Sequence, residues 1–245
     1  MPSHLDSRRE RIARAWGLTD GIVLVGAGHP IPIPGGQDQT YPFLSHLTYV
    51  YLADRECEGG VVAFDPKEGW TDFVPDVTED ERVWAGRRDV EGTPLSKLDG
   101  WLEARRGRPA AVLGVPVAGV TPDVDLTAEV KERLLQAQRP KDAVELERMR
   151  RAAAATAAGF AALRRLVEPG RTERQLQVEL ELEFLRHGGD RVAFGTIVGA
   201  GPDAGVLHFT PGARVVRDGD AVLVDAGAEV QRYAADVTRT WQAGA

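Results

Sequence analysis

Two aspartates near the carboxyl end of the sequence constrain its fold more than any other feature. Asp225 follows the apolar run Val222–Val224, and Asp236 precedes a second run of strand type. The short polar segment between the two runs predicts an antiparallel hairpin. If this hairpin is symmetric about Val230 and Gln231, Asp225 lies directly opposite Asp236, with Cβ atoms roughly 5 Å apart.

Like charges at directly opposed positions destabilise a strand pair unless a cation neutralises them. Carboxylates are hard oxygen ligands, so two of them on neighbouring strands could share divalent ions and leave positions open for water. A second interpretation is that Asp225 forms a turn at the strand end and Asp236 is a solvated hairpin residue. Val230 and Gln231 form a poor tight turn, so a longer or bulged loop also stays open.

Several spaced motifs precede this aspartate pair. The chain reads Gly-Asp-Arg-Val-Ala-Phe-Gly-Thr-Ile-Val-Gly-Ala-Gly over 189–201, Val-Leu-His-Phe-Thr-Pro over 206–211 and Arg-Asp-Gly-Asp over 217–220. In order and spacing, these motifs resemble the first half of the catalytic domain of the Xaa-Pro metallopeptidases, the family of aminopeptidase P and prolidase. The resemblance implies an α+β pita-bread catalytic domain.

The resemblance also implies a chemistry and the residues that carry it. Two divalent metal ions, manganese in this family, would be held in part by Asp225, which binds one ion, and by Asp236, which bridges both. His208 would be a catalytic residue that donates a hydrogen bond to the carbonyl oxygen as charge develops there. The reaction implied is hydrolysis of the Xaa-Pro bond at the N-terminus of peptides or in dipeptides. Without the resemblance, a histidine beside apolar residues is more often a structural residue.

The sequence departs from the family in one large respect. The remaining metal ligands, a histidine and two glutamates, come from the second half of the family's domain and have no match here. Glu183, His187 and Glu229 do not fall at matching positions. We therefore expect a truncated form with a partial site. The alternative function is a non-catalytic pita-bread module that binds peptides, and aminopeptidase P and prolidase are not distinguished.

The first part of the sequence predicts an α/β domain, and the resemblance implies that it is of the creatinase/prolidase N-terminal type. Strands at 59–64, 71–74 and 110–115 with a helix at 95–106 indicate a largely parallel or mixed sheet. The segment Tyr41-Pro42-Phe43 resembles the same family, in which an aromatic strand follows; here that strand would be residues 47–52. A dinucleotide fingerprint after Gly26 is rejected because a third glycine is missing and prolines follow.

The predicted domains are residues 1–138, the N-terminal α/β domain, and residues 139–245, the partial catalytic domain. In the second domain a long helix runs from about residue 141 towards Pro169, and Thr172 with Gln175 forms a capping box for the next helix. That helix presents Leu176, Leu180 and Phe184 on one face. Because the family's second half would pack here, we expect this face and the strand Val222–Val224 to be uncovered.

Composition narrows the classes of partner. A net charge of −7 and a pI near 5.3 argue against nucleic acid, so the expected partner is a proline-containing peptide. One cysteine, Cys57, excludes an internal disulfide, and with no signal-type segment this predicts a cytoplasmic protein. No run approaches the ~20 apolar residues of a membrane span. The oligomeric state stays open, and an acidic surface is compatible with a homo-oligomer.

Overall fold

The computed structural model describes residues 3–244, which separate into two compact units, Met1–Pro140 and Lys141–Ala245. The sequence analysis placed this division after residue 138. Each unit encloses hydrophobic clusters of its own. Within residues 3–244, no helix has both the length and the apolar character needed to cross a membrane.

The N-terminal unit is built on a mixed five-stranded sheet. The strand order is β4-β3-β2-β1-β5, with β1 antiparallel to β2 and parallel to β5. The strands are β1 (Ile22–Gly26), β2 (Val61–Asp65), β3 (Gly69–Val74), β4 (Thr93–Pro94) and β5 (Ala110–Gly114). Every residue of β1 and β2 is buried, as expected for central strands that are covered on both faces.

Five helices accompany this sheet. They are α1 (His4–Trp16), α2 (Leu47–Ala53), α3 (Glu79–Ala85), α4 (Leu98–Glu103) and α5 (Val124–Ala137). Local chemistry explains the bounds of α1: Ser3 and Asp6 form a capping box, and Gly17 ends the helix with φ at 59°.

The segment that contains α2 was predicted wrongly as a strand. Its first turn is capped by His46, whose side chain accepts a hydrogen bond from the backbone N–H of Thr48. Tyr49 and Leu52, three residues apart, are both fully buried, which a helix allows on one face. A short apolar run fits either element by pattern alone, so packing decided between them.

Within residues 141–244, the C-terminal unit carries two α-helices and two three-stranded sheets. The helices are α6 (Ala143–Leu163) and α7 (Glu173–Arg186), and α7 begins at the predicted capping box of Thr172 and Gln175. The strands are β6 (Arg191–Val192), β7 (Ile197–Ala200), β8 (Ala221–Ala226), β9 (Ala228–Val230), β10 (Tyr233–Ala234) and β11 (Val237–Gln242). One sheet has the order β10-β9-β6, and the other has the order β11-β8-β7.

Helix α7 packs its predicted apolar face inside this unit. Leu176, Leu180 and Phe184 are fully buried in one cluster with Val222 and Val224 of β8. The expectation that this face and this strand would be uncovered is therefore wrong. The helices supply the cover themselves, because α6 and α7 pack against each other and against the strands.

The exposed apolar residues of α7 lie on its other face. Val178, Leu182 and Leu185 are spaced by four and three residues, and their exposed fractions are 54%, 38% and 52%. This spacing places them on one side of the helix, away from the buried cluster.

The predicted hairpin exists, but its register differs from the prediction. Asp225 pairs with Thr238, and Val237 pairs with Ala226. Nearer the turn, Ala234 pairs with Glu229, so one register runs through both strand pairs. This register places Asp236 across from Gly227 rather than Asp225.

The turn explains the difference in register. Its two central residues are Gln231 and Arg232, with φ at 47° and 71°, as a two-residue type I′ turn requires. Neither residue is one that favours positive φ, so the sequence carries no turn signal at this point. The backbone N–H of Gln231 donates to a carboxylate oxygen of Asp190 at 2.7 Å, which supports the turn.

Candidate active site

A surface cavity of about 570 Å³ in the C-terminal unit brings the three sequence-predicted site residues together. Asp225 comes from β8, Asp236 from the hairpin arm before β11, and His208 from the loop after β7. The cavity is also lined by Gln177, Phe194, Gly195, Thr196, Ile197, Phe209, Thr210 and Pro211.

Asp225 and Asp236 are diagonal rather than direct neighbours across the hairpin. Diagonal positions in an antiparallel pair are roughly 7–8 Å apart and share a face of the sheet, so both carboxylates reach one cavity. Gly227, opposite Asp236, has no side chain; a Cβ there would collide with the carbonyl of Ala235. The close approach of the two arms at this point therefore depends on glycine.

The two carboxylates retain oxygen atoms that can accept from a ligand. Thr238 donates its hydroxyl to Oδ1 of Asp225 at 2.7 Å, and Asp225 Oδ2 accepts no hydrogen bond from residues 3–244. The carboxylate of Asp236 is exposed and has neither a hydrogen bond nor an ion pair within the described chain. None of the residues that line the cavity is lysine or arginine. The negative charge of the pair is thus not balanced by a lysine or an arginine of the lining.

His208 lies on an exposed part of the loop between β7 and β8. Its ring makes no hydrogen bond to any residue that the structure describes. Leu207, beside it, is 87% exposed. The imidazole is therefore free to meet a ligand in the cavity, and the general tendency for such a histidine to be a bonded structural residue does not hold here.

Two polar residues of the lining escaped the sequence analysis. Gln177 lies one turn into α7, where its side chain bonds to Arg174 and Glu181. The Thr196 hydroxyl is buried without a hydrogen-bond partner among residues 3–244. Neither position carries a sequence signal, because one looks like an ordinary surface residue of a helix and the other like a strand-forming residue.

The donor set fits part of a divalent-metal site. Two carboxylates offer hard oxygen ligands of the kind that Mn²⁺ and Mg²⁺ prefer. Among the described residues, no group of three or more His, Cys, Asp or Glu side chains could hold a metal ion. Glu183 and His187 lie 3.5 Å from each other, Glu229 pairs with Arg191 at 3.2 Å, and none of these residues lines the cavity. Within residues 3–244, the cavity thus offers two carboxylates as candidate metal ligands, and Glu183, His187 and Glu229 add none.

Comparison with known proteins finds relatives that align with most of the chain. The model of metallopeptidase family M24 matches residues 147–245. The chain is 30% identical over 252 aligned positions to Xaa-Pro aminopeptidase 2 of Streptomyces coelicolor, covering 87% of this chain and 53% of that protein. It is 41% identical to the Xaa-Pro aminopeptidase of Escherichia coli over 101 positions, which cover 41% of this chain and 23% of the relative.

Solved structures show the same fold. The aminopeptidase PepP of Pseudomonas aeruginosa matches with a TM-score of 0.77 and 24% identity, over 99% of this chain and 62% of that one. The low-pH form of E. coli aminopeptidase P matches with a TM-score of 0.75 and 22% identity, over 99% of this chain and 63% of that one. The fold is therefore an N-terminal α/β domain followed by part of a pita-bread domain.

The chain spans about half the length of the Streptomyces relative. The segment that matches the M24 family model, residues 147–245, includes His208, Asp225 and Asp236. The M24 match, the Xaa-Pro aminopeptidase relatives and the aminopeptidase P fold agree with one another. Together they support the Xaa-Pro metallopeptidase family for this chain, which covers only part of its relatives' length.

Proposed function

We propose that Asp225, Asp236 and His208 form part of the site of a metal-dependent peptidase that cleaves the bond between an N-terminal residue and a following proline. The observation that carries this proposal is the meeting of the three residues in one cavity whose lining contains neither lysine nor arginine. The names of the relatives support the substrate class, because they are Xaa-Pro aminopeptidases. The proposal includes two divalent ions, with Mn²⁺ as the expected metal.

Each residue has a role that follows from its position. Asp225 and Asp236 would hold the metal through their free oxygens, with Thr238 orienting the Asp225 carboxylate. Bound metal supplies a water of lowered pKa and polarises a carbonyl. His208 would donate a hydrogen bond to the peptide carbonyl oxygen as that atom gains negative charge.

The apolar part of the lining has a complementary role. Phe194, Ile197, Phe209 and Pro211 offer a surface against which an uncharged ring such as proline can pack. Water excluded from this surface would strengthen the hydrogen bond from His208. The cytoplasm is the compartment we propose, since a single buried cysteine needs no oxidising environment.

Metal titration tests the ligand roles. Two carboxylates are a small ligand set, so we expect the 245-residue chain to bind Mn²⁺ weakly and to lose this binding in Asp225→Asn and Asp236→Asn. Asp203→Asn is the control and should bind Mn²⁺ like the parent. Asp203 lies on the loop that carries His208 but does not line the cavity. Equal binding by all four proteins would contradict the proposed ligands.

Activity tests the roles in a form of the protein that carries a complete ligand set. There Asp236→Asn should reduce Xaa-Pro hydrolysis more than His208→Ala, because the first change removes a metal ligand. The second removes one donor to the developing charge, a loss of roughly 10²- to 10³-fold in kcat. Near-normal hydrolysis by the Asp236 variant would overturn the proposal. A site that binds Xaa-Pro peptides without cleaving them would favour the non-catalytic alternative.

A further inference from the structure

A buried carboxylate outside the cavity contacts both ends of the loop that carries His208. Glu173, the first residue of α7, is fully buried. Its Oε1 accepts from the backbone N–H of Ala200 at 2.9 Å, and its Oε2 accepts from the backbone N–H of Gly212 at 3.1 Å. Both hydrogen bonds are to a group that has no access to water, so neither can be replaced by solvent.

The loop between these two anchors has few bonds of its own. Residues 201–205 form a short 3₁₀ helix, and Val206 donates its backbone N–H to Asp203. Within the described chain, residues 207–210 make no backbone hydrogen bond to a residue outside this loop. The position of His208 therefore depends on where the two ends of the loop are held.

Each end of the loop is also fixed separately, but among residues 3–244 it is Glu173 alone whose side chain bonds to both ends. Ala200 lies at the end of β7, where it pairs with Val222. Gly212 accepts a hydrogen bond from the backbone N–H of Arg174 at 3.0 Å. The Glu173 carboxylate sets the spacing between these points, because its two oxygens are a fixed distance apart.

We propose that Glu173 is a positioning residue, whose carboxylate holds the two ends of loop 201–211 together and thereby places His208 in the cavity. The catalytic role of His208 in this proposal rests on the proposed function. The position of the His208 side chain, in contrast, does not depend on bound metal or substrate. Gln177, one turn further along α7, lines the same cavity, so the helix that holds the loop also forms a wall of the site.

Nuclear magnetic resonance on the metal-free full chain tests the placement. Glu173→Gln replaces one acceptor oxygen with an NH₂ group that faces a backbone N–H. We expect amide exchange at Ala200 or Gly212 to become roughly 10- to 100-fold faster, as for loss of one charge-assisted hydrogen bond. The ring signals of His208 should shift or broaden, and His208→Asn assigns them among the five histidines.

Two further variants make the result specific. Glu179→Gln changes the same residue type on the same helix at a half-buried position and should leave the His208 signals unchanged. Glu173→Asp keeps two acceptor oxygens, and its His208 signals should lie nearer to those of the parent than the Gln signals do. This variant also reports on the placement if the Gln variant does not fold.

The outcomes separate this proposal from the proposed function. If Glu173→Gln accelerates exchange uniformly across residues 141–244 and the native His208 signals stay in place, Glu173 only stabilises the unit and the proposal is wrong. If instead the Asp225 and Asp236 variants bind Mn²⁺ like the parent, the proposed metal site fails, while the His208 signals still decide the role of Glu173.

Discussion

At the scale of the residue, Asp65 is a buried charge that several hydrogen-bond donors share. Asp65, at the end of β2, is 1% exposed and accepts two hydrogen bonds from Arg108, at 2.8 and 3.0 Å. It also accepts from Arg105 at 2.6 Å and from the backbone of Lys67 at 2.8 Å. The bonds from Arg108 in the first place hold the pKa of Asp65 well below its usual range, against the opposing effect of burial.

This shift predicts acid sensitivity of the N-terminal unit. Because the folded pKa of Asp65 lies below the unfolded value of about 3.9, its stabilisation is present above roughly pH 4 and is lost as the pH falls further. Asp65→Asn should lower the free energy of unfolding at pH 7 by about 3 kcal/mol and make it less dependent on pH between about 4 and 2. Urea denaturation at several pH values measures both effects.

The exposed Asp20 provides the control, because it contacts Lys67 and Arg108 with 57% of its side chain in water. Asp20→Asn should lower the free energy of unfolding at pH 7 far less than Asp65→Asn does, because water screens an exposed ion pair. An equal cost for the two substitutions would show that burial of Asp65 is not what gives its ion pairs their strength.

At the scale of the element, the hairpin from β8 to β11 positions the carboxylates through its close-packed arms. Gly227→Ala would place a Cβ against the Ala235 carbonyl and force the arms apart beside Asp236. We expect a loss of about 1–3 kcal/mol in stability together with weaker Mn²⁺ binding. Thermal denaturation and metal titration measure the two effects.

Gly205→Ala is the matched control, since nothing lies within 4 Å of a Cβ built at that position. Its melting temperature should stay within a few degrees of the parent value. If Gly227→Ala behaved in the same way, the arms would not be in the close contact that the structure shows.

Much of the element pattern could be predicted from sequence because local chemistry fixes it. The capping box of Thr172 and Gln175 marks the start of α7, and Gly17 marks the end of α1. The hairpin register could not be predicted, because a turn of Gln231 and Arg232 has positive φ without a residue that favours it. The diagonal placement of Asp225 and Asp236 therefore emerged only from the structure.

At the scale of the whole molecule, each unit has its own core, and the C-terminal core is closed by α7. Leu180 is fully buried in that core, whereas Leu182 on the other face is 38% exposed. Leu180→Ala should cost about 2–5 kcal/mol and speed amide exchange throughout residues 141–244. Leu182→Ala should cost less than about 1 kcal/mol. Equal effects would mean that α7 does not bury the face that the structure assigns to the core.

Spaced motifs were more informative at this scale than periodicity. The motifs from residue 189 to residue 241 identified the family and fold, which the M24 match and the aminopeptidase P structures bear out. They could not show which apolar surfaces this chain covers, because that depends on how α6 and α7 pack. Nor did they single out Glu173, whose role depends on the backbone of two distant residues, Ala200 and Gly212.

The single register of the hairpin also limits which insertions its two arms can accept. Side chains alternate between the two faces of a strand, so a one-residue insertion between Asp225 and the turn would carry one carboxylate to the opposite face. A pair of insertions, one in each arm, would keep Asp225 and Asp236 on a common face. The number of residues between the two aspartates can therefore change only in steps of two if both carboxylates are to stay on one face. The length of the loop at 201–205 has no such constraint.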